Sequence, residues 1–485
     1  MRKITPLIEK LKIDISPETL FEALKDRPYS FFLDSASDCG KLGRFSFLGS
    51  DPFLVFRSKR ENVVLERPDG KAESFAKDPF LALSDIFKKY DIENPLPEVP
   101  FVSGGVGYFA YDLKDFIEDM PDTADDDLNL PDSIFGFYDV VIIHDNIEGS
   151  VYLVSSGFPE ERGADNRLRA RKRLAEFKSL LEGIPSCREK HPLPREYSVK
   201  SNFTKSGYAE VIRRAKEYIK RGDIYQVNIS QRFHAESSAG EDPYNIYKRL
   251  RKLSPGPFSS YLNFKDAVIL SSSPERFLLK RGGYIETRPI KGTRPRGEDA
   301  LEDALMESEL ISSDKDRAEH IMIVDLERND LGRICKYGTV TPQELFTLER
   351  YSTVFHLVST VAGQLREGIT PIDCLKAAFP GGSITGAPKI RSMEIIEELE
   401  KVKRSLYTGS IGYISFDGNM DTSIVIRTII IKGNDMYFNV GGGIVADSDP
   451  VKEYEETLHK ARGIMAALGT KEVYARKRFG EKVLL

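Results

Sequence analysis

The chain's 485 residues exceed one ordinary compact domain and allow either two domains or one large elaborated core. With 40% apolar and 30% charged residues and unremarkable Gly and Pro usage, the composition excludes fibrous and disordered classes. The 70 basic and 75 acidic residues leave a net charge of -5, so no general field draws nucleic acid or an anionic membrane, and an anionic ligand has to be met by a local site.

The opening MRKITPLIEKLKID is basic but lacks an uninterrupted apolar stretch and a small-residue cleavage site. No run in the chain reaches bilayer-spanning length, so a cytoplasmic, non-membrane location is the default expectation. Cys39, Cys187, Cys335 and Cys374 stand far apart without a CxxC pair, which predicts reduced thiols and neither a zinc site nor a disulfide framework. From Tyr29 to about Val154, short apolar runs such as FSFLGSDPFLVF, VSGGVGYFAYD and FYDVVIIHD alternate with turn residues and read as strands and hairpins. Residues 165–183 show helical spacing, and the proline-rich, charged stretch that follows places a linker at 186–200. That divides the chain into an N-terminal region 1–185 and a second region 201–470, with a tail at 471–485.

The second region opens with Ser206 as predicted N-cap of a helix in which Val211, Ala215 and Ile219 share a face and Gly222 ends the run. Strands are expected at IYQVNISQRF, AVILSSS, YIETRP, YTGSIGYISF, SIVIRTIII and DMYFNVGGGIV, and helices around 298–311, 388–403 and 451–467. Strands that follow one another in pairs favour an α+β fold of antiparallel sheets with segregated helices over a doubly wound parallel sheet.

Three groups of residues can carry chemistry. Asp316 and Glu319 are three apart, as are Glu453 and Glu456, so on helices each pair shares a face; two such faces suit Mg²⁺, but solvated helix faces have the same spacing. GGSITGAPK and VGGGIV match no nucleotide fingerprint; their glycines could bring backbone N–H groups to an anion or simply make turns. In TRPIKGTR, Lys291 lies between Arg288 and Arg294, where cationic neighbours and desolvation would free a nucleophilic amine, although an ordinary basic turn reads the same way. Glu275 in SSSPERF follows a strand and is a candidate general acid, or half of a salt bridge.

Read together, IYQVNISQRF, SSPERF, RPIKGTR, AEHIMIVDLERNDLGRI, GGSITGAPK, YTGSIGY, VIRT, VGGGIV and ExxETxxK resemble the chorismate-utilising family over about 200 to 470. The similarity is to the large subunits of anthranilate synthase and aminodeoxychorismate synthase, and FFLDSAS and GRFSFLGSDP extend it more loosely into the first half. The resemblance implies antiparallel sheets packed as a sandwich with outer helices and a chorismate site deep between them. It implies Mg²⁺ held by Glu319 and Glu456 with Asp316 and Glu453 assisting. The implied substrate-binding set is Gly292, Thr293, His356, Thr385, Tyr407, Arg427, Gly441, Gly442, Gly443 and Lys460.

Two positions bear on the reaction. Water-using members of the family carry lysine where this chain has Gln226, so the resemblance implies ammonia as the nucleophile. PIKGT with Lys291, in place of PIAGT, is the pattern of the aminodeoxychorismate synthases, which implies conversion of chorismate to 4-amino-4-deoxychorismate for folate biosynthesis, with Lys291 and Glu275 as catalytic residues. Anthranilate synthase component I, which releases pyruvate and serves tryptophan biosynthesis, is the alternative, and a non-catalytic sensor of chorismate or tryptophan is a third reading. No cysteine sits in a GxCxG-type elbow, so a separate glutamine amidotransferase subunit is the implied ammonia source. Ser35, Pro257 and Phe258 match the family's tryptophan pocket, within a motif, LDSAS, that departs from the usual LLES.

Overall fold

The computed structural model describes residues 3–36, 42–161, 163–183, 197–236, 241–351 and 354–470. Most of the expected linker at 186–200 and all of the tail at 471–485 lie outside them, as do Cys39 and Cys187. Cys335 and Cys374 are buried free thiols.

Two antiparallel sheets of twelve strands each form the body of the molecule. The first runs in the order Leu7–Leu11, Ser150–Ser155, Val140–Asp145, Phe45–Gly49, Phe31–Asp34, Phe258–Phe264, Ala267–Ser273, Thr428–Lys432, Asp435–Ile444, Gln226–Glu236 and Val199–Ser201. The second runs Ile290–Pro295, Val354–Gln364, Tyr284–Arg288, Arg276–Arg281, Met420–Ile424, Ser410–Ser415, Gly104–Phe109, Ser133–Tyr138, Leu54–Lys59, Asn62–Glu66 and Ala72–Ala76. Gly386–Ala387 and Thr341–Arg350 complete the two sheets. Both halves of the chain contribute to each sheet, since Phe31–Asp34 pairs with Phe258–Phe264 and Gly104–Phe109 with Ser410–Ser415.

The core lies between the sheets, with a second apolar layer under the helices. Phe31, Phe47, Val141, Ile143, Ile269 and Ile430 of the first sheet join Phe56, Val106, Phe135 and Leu278 of the second in one cluster. Their chain neighbours Phe32, Leu48, Val140, Ile142, Leu270 and Ile429 point the other way and pack with Leu20, Leu250 and Ile464 from helices. Successive side chains alternate between faces, so a strand covered on both faces is apolar throughout. This explains runs such as VVII and TIII. Among the described residues no helix is long and apolar enough to cross a membrane.

Most expected elements of the second region are present, including Ala267–Ser273 and the helices Ala300–Ser312, Lys389–Leu399 and Pro450–Ala467. Two expectations are corrected. The helix after the linker starts at Lys205, capped by Thr204, whose hydroxyl accepts the Gly207 N–H at 3.1 Å, while Ser206 falls inside the first turn. SIVIRTIII is not one strand: it divides into Met420–Ile424 of the second sheet and Thr428–Lys432 of the first, with Arg427 at a φ of 51° in the bend between them. An uninterrupted apolar run hides the change because both segments bury their side chains whichever sheet they join.

Candidate active site

Residues 274–275 and 425–427 both carry the chain between the two sheets, and they lie side by side. Ile424 donates its N–H to the Glu275 carbonyl at 3.0 Å, and Ser273 donates its hydroxyl to the Ile424 carbonyl at 2.6 Å. Glu275 and Arg427 thus stand at adjoining crossovers. The Glu275 carboxyl, 5% exposed, accepts the Ser383 hydroxyl at 2.6 Å. Burial pushes its pKa up to about 7, against the opposing pulls of Ser383, the Lys291 charge and the Ile290 N–H.

Lys291 reaches the same region through a distortion. The pairing of Ile290–Pro295 with Val354–Gln364 shifts register between Ile290 and Thr293, and Gly292 takes a φ of 81°. Such a bulge re-aims a side chain. A Cβ on Gly292 would lie 2.9 Å from Leu310 and 3.4 Å from Asp316, so the strand presses closely on the helix Ala300–Ser312 and touches the helix Asp314–Gly332. Lys291 keeps some exposed surface, but the packing round its amine lowers its pKa; Lys460 adds to this, while Glu319, Glu275 and Glu456 oppose it.

The triple glycine shows what converges over the strand Asp435–Ile444. A Cβ on Gly443 would sit 2.7 Å from Gln226 Nε2 and 3.3 Å from Lys291 Nζ. One on Gly442 would sit 3.3 Å from Glu453 Oε2, 3.7 Å from Glu456 Oε1 and 3.7 Å from Lys460 Nζ. Lys460 donates to the Gly441 carbonyl at 2.9 Å and pairs with Glu456 at 2.8 Å. The glycines leave the sheet bare where an amine, an ammonium and two carboxylates gather. Gln226 is fully buried with neither side-chain amide atom bonded among the described residues.

Asp316 and Glu319 lie in the first two turns of their helix, Asp316 paired to Arg294 at 3.1 Å and Glu319 to Lys315 at 3.8 Å. Burial raises the Glu319 pKa, Lys291 and Lys315 oppose, and Asp316 and Glu456 raise it further, so the two acidic helix faces sense each other. Burial also raises Glu453, whereas Lys460 holds Glu456 below its ordinary value. Carboxylates that repel one another in a half-buried place, all with hard oxygen donors, suit a divalent cation such as Mg²⁺. They stand near one another without closing into a cage: among the described residues no three His, Cys, Asp or Glu side chains form a ready metal cluster.

His356 is buried, its Nδ1 2.9 Å from the Thr293 hydroxyl and its Nε2 without a partner among the described residues. Burial, aided by the Arg427 charge, lowers its pKa to about 3, so it is neutral. Burial also lowers the Arg427 pKa, opposed by Tyr351. Thr385 is buried with its hydroxyl donated to the Gly381 carbonyl at 2.9 Å, which holds the glycine-rich turn together. Tyr407 is buried beside the Arg404 guanidinium, with its pKa raised by that burial. Ser383 was not among the sequence candidates. Its motif is legible, but its contact with Glu275 spans 108 residues and leaves no local signal.

Ser35, Pro257 and Phe258 line a cavity of about 740 Å³ that also takes in Phe47, Arg276 and Tyr413. The Arg276 guanidinium lies 5.1 Å from the Phe258 ring centroid. Asp34 of the divergent LDSAS motif is committed to Arg251 and to the Tyr247 hydroxyl.

A family model described as chorismate binding enzyme matches residues 16–466. The chain is 41% identical over 471 residues to anthranilate synthase component 1 of Aquifex aeolicus, covering 96% of this chain and 94% of the relative. It is 40% identical over 470 residues to aminodeoxychorismate synthase component 1 of Escherichia coli, covering 96% and 100% respectively. Among solved structures, anthranilate synthase component I from Streptococcus pneumoniae matches with a TM-score of 0.78 and 32% identity, over 87% of this chain and 92% of that one.

Proposed function

The chain belongs to the chorismate-binding enzyme family, and we propose that it aminates chorismate to 4-amino-4-deoxychorismate, with Lys291 as nucleophile and Glu275 as general acid. The observation that carries this reading is a buried carboxyl and an amine that sense each other's charge, with burial raising the pKa of the first and lowering that of the second. A carboxyl raised and a lysine lowered towards working pH are the shifts that a general acid and an amine nucleophile require.

In the first step the neutral Lys291 amine adds to C2 of the ring, and the two ring double bonds shift towards C4. The bond from C4 to its hydroxyl breaks as Glu275 delivers its proton, so water leaves; the proton shed by the new C–N bond restores Glu275. Ammonia then attacks C4, the double bonds move back, and lysine departs as a free amine while the enolpyruvyl group stays in place. Arg427 and Lys460 supply cations for the two carboxylates, the bare surface at Gly441 to Gly443 lets the substrate approach the backbone, and neutral His356 lines the ring site. Glu319 and Glu456, with Asp316 and Glu453, would hold Mg²⁺, which when bound neutralises the ring carboxylate.

A second reading, formation of anthranilate and pyruvate, is favoured by the 41% identity to anthranilate synthase component 1 of Aquifex aeolicus. Incubating the purified chain with chorismate, Mg²⁺ and ammonium and identifying products by mass separates the two, while a non-catalytic sensor would yield neither. Glutamine should support turnover only when an amidotransferase subunit is added. Glutamine-driven turnover by the chain alone would refute the requirement for that partner.

A further inference from the structure

The proposed chemistry makes no use of Glu327, yet this carboxyl is 2% exposed and lies close to Glu275. It projects from the helix Asp314–Gly332, and its Oε1 accepts the Gly382 N–H at 3.0 Å. Its Oε2 is enclosed and has no partner among the described residues. The next residue along, Ser383, is the one that donates its hydroxyl to Glu275 at 2.6 Å. Consecutive residues of the single 3₁₀ turn Gly382–Ile384 therefore hold the two carboxyls.

The fit at Gly382 is close: a Cβ there would fall 2.6 Å from Leu326 Cδ2 and 3.0 Å from Glu327 Oε1. The rest of the turn is pinned by Arg404, which donates to the Ile384 carbonyl at 3.0 Å, and by Thr385, which donates to Gly381. The charged and titratable groups facing Glu327 are Asp330 on its own helix, Lys389 at the start of the helix Lys389–Leu399, which pairs with Asp330, and Glu275 at the crossover. Burial first, then Asp330, push the Glu327 pKa up to about 8, with Lys389 opposing and Glu275 adding. An enclosed carboxyl with one bonded and one unbonded oxygen is far less costly neutral than charged, so burial favours the protonated form of Glu327.

We propose that Glu327 is a positioning residue, a buried carboxyl that clamps the Gly382 N–H so that the Ser383 hydroxyl stays on Glu275. The inference rests on the reading of Glu275 as general acid. Loss of the clamp releases Ser383, and because that hydrogen bond favours the ionised form of Glu275, its loss raises the Glu275 pKa.

The test compares the pH dependence of kcat for Glu327→Ala, Glu327→Gln and Ser383→Ala in the full-length protein with chorismate, Mg²⁺ and ammonium. Glu327→Ala should lower kcat by about tenfold or more, within the range of general-acid effects, with KM little changed. Its alkaline limb should move to higher pH, a shift that simple loss of stability would not produce. Glu327→Gln keeps a carbonyl oxygen for Gly382 without a charge and should behave like wild type. Ser383→Ala should reproduce the raised limb, and the double variant should be no worse than either single one, since the two act in one contact chain.

A wild-type profile for Glu327→Ala, additive effects, or equal damage from Glu327→Gln would overturn the proposal. If Glu327→Ala does not fold, a wild-type profile for Ser383→Ala or a damaged Glu327→Gln overturns it just as well. A Glu275→Gln control separates the two levels: full activity there removes Glu275 as the acid, whereas an inactive control beside a silent Glu327→Ala removes only the clamp.

Discussion

Glu275→Gln keeps the shape of the side chain and an oxygen for the Ser383 hydroxyl while removing the proton, so it should raise stability and destroy activity together. Burial lifts the carboxyl from 4.5 to about 7. At pH 7 about half of the molecules then hold the acid form, against roughly 0.3% for an unshifted carboxyl. Between those two values the folded state binds the proton more tightly than the unfolded state, so folding stability falls as pH rises through this window and the loss is complete above it. At about 1.4 kcal/mol per pH unit, the total is roughly 3 kcal/mol. Gln carries no charge and is spared that loss. Urea unfolding of both proteins should show little difference at pH 5 and a gain of up to about 3 kcal/mol for the variant at pH 8. Turnover of chorismate with ammonium should fall by about 10²- to 10⁴-fold, the usual contribution of a general acid. If the stability gap does not widen from pH 5 to pH 8, burial does not hold Glu275 neutral. Wild-type kcat in the variant would show that the proton comes from elsewhere.

Other substitutions address neighbouring parts of the site. Lys291→Ala should lower aminodeoxychorismate formation by orders of magnitude, because the side chains of Arg288 and Arg294, paired to Glu349 and Asp316, cannot replace the amine as nucleophile. Mass spectrometry of wild type with chorismate and no ammonia should find an adduct on the Lys291 peptide; its absence, beside an active variant, would make Lys291 a bystander. Glu319→Gln and Glu456→Gln should each abolish Mg²⁺-dependent turnover without unfolding the chain, and titration of Mg²⁺ by calorimetry should show weakened binding; unchanged activity at limiting Mg²⁺ would sink the assignment. Gly443→Ala would place a methyl 2.7 Å from the buried Gln226 amide and 3.3 Å from the Lys291 amine. Overpacking of this kind costs about 1–3 kcal/mol, so thermal stability should fall and turnover with it, and a fully active, fully stable variant would contradict the close approach seen here.

Local sequence determined much of the framework. Gly222 ends its helix in the left-handed conformation at a φ of 81°, and Asp316 and Glu319 share a helix face, because capping and helical spacing are properties of neighbouring residues. The strand Ala267–Ser273 and the position of Glu275 just beyond it were legible for the same reason. The motif set also carried the family resemblance. Tertiary structure decided the rest. Alternation of apolar and polar residues reports burial on one face only, so where both faces of a strand are covered the signal vanishes, and the passage of residues 424–428 from one sheet to the other could not be read. The same passage sets Arg427 beside the Glu275 crossover. Ser383 meets Glu275 and Glu327 meets Gly382 across 108 and 55 residues of chain, contacts fixed by how the glycine turn packs between a helix and the sheet crossover. Such contacts leave no periodic trace, because the residues that make them are neighbours only after the chain has folded.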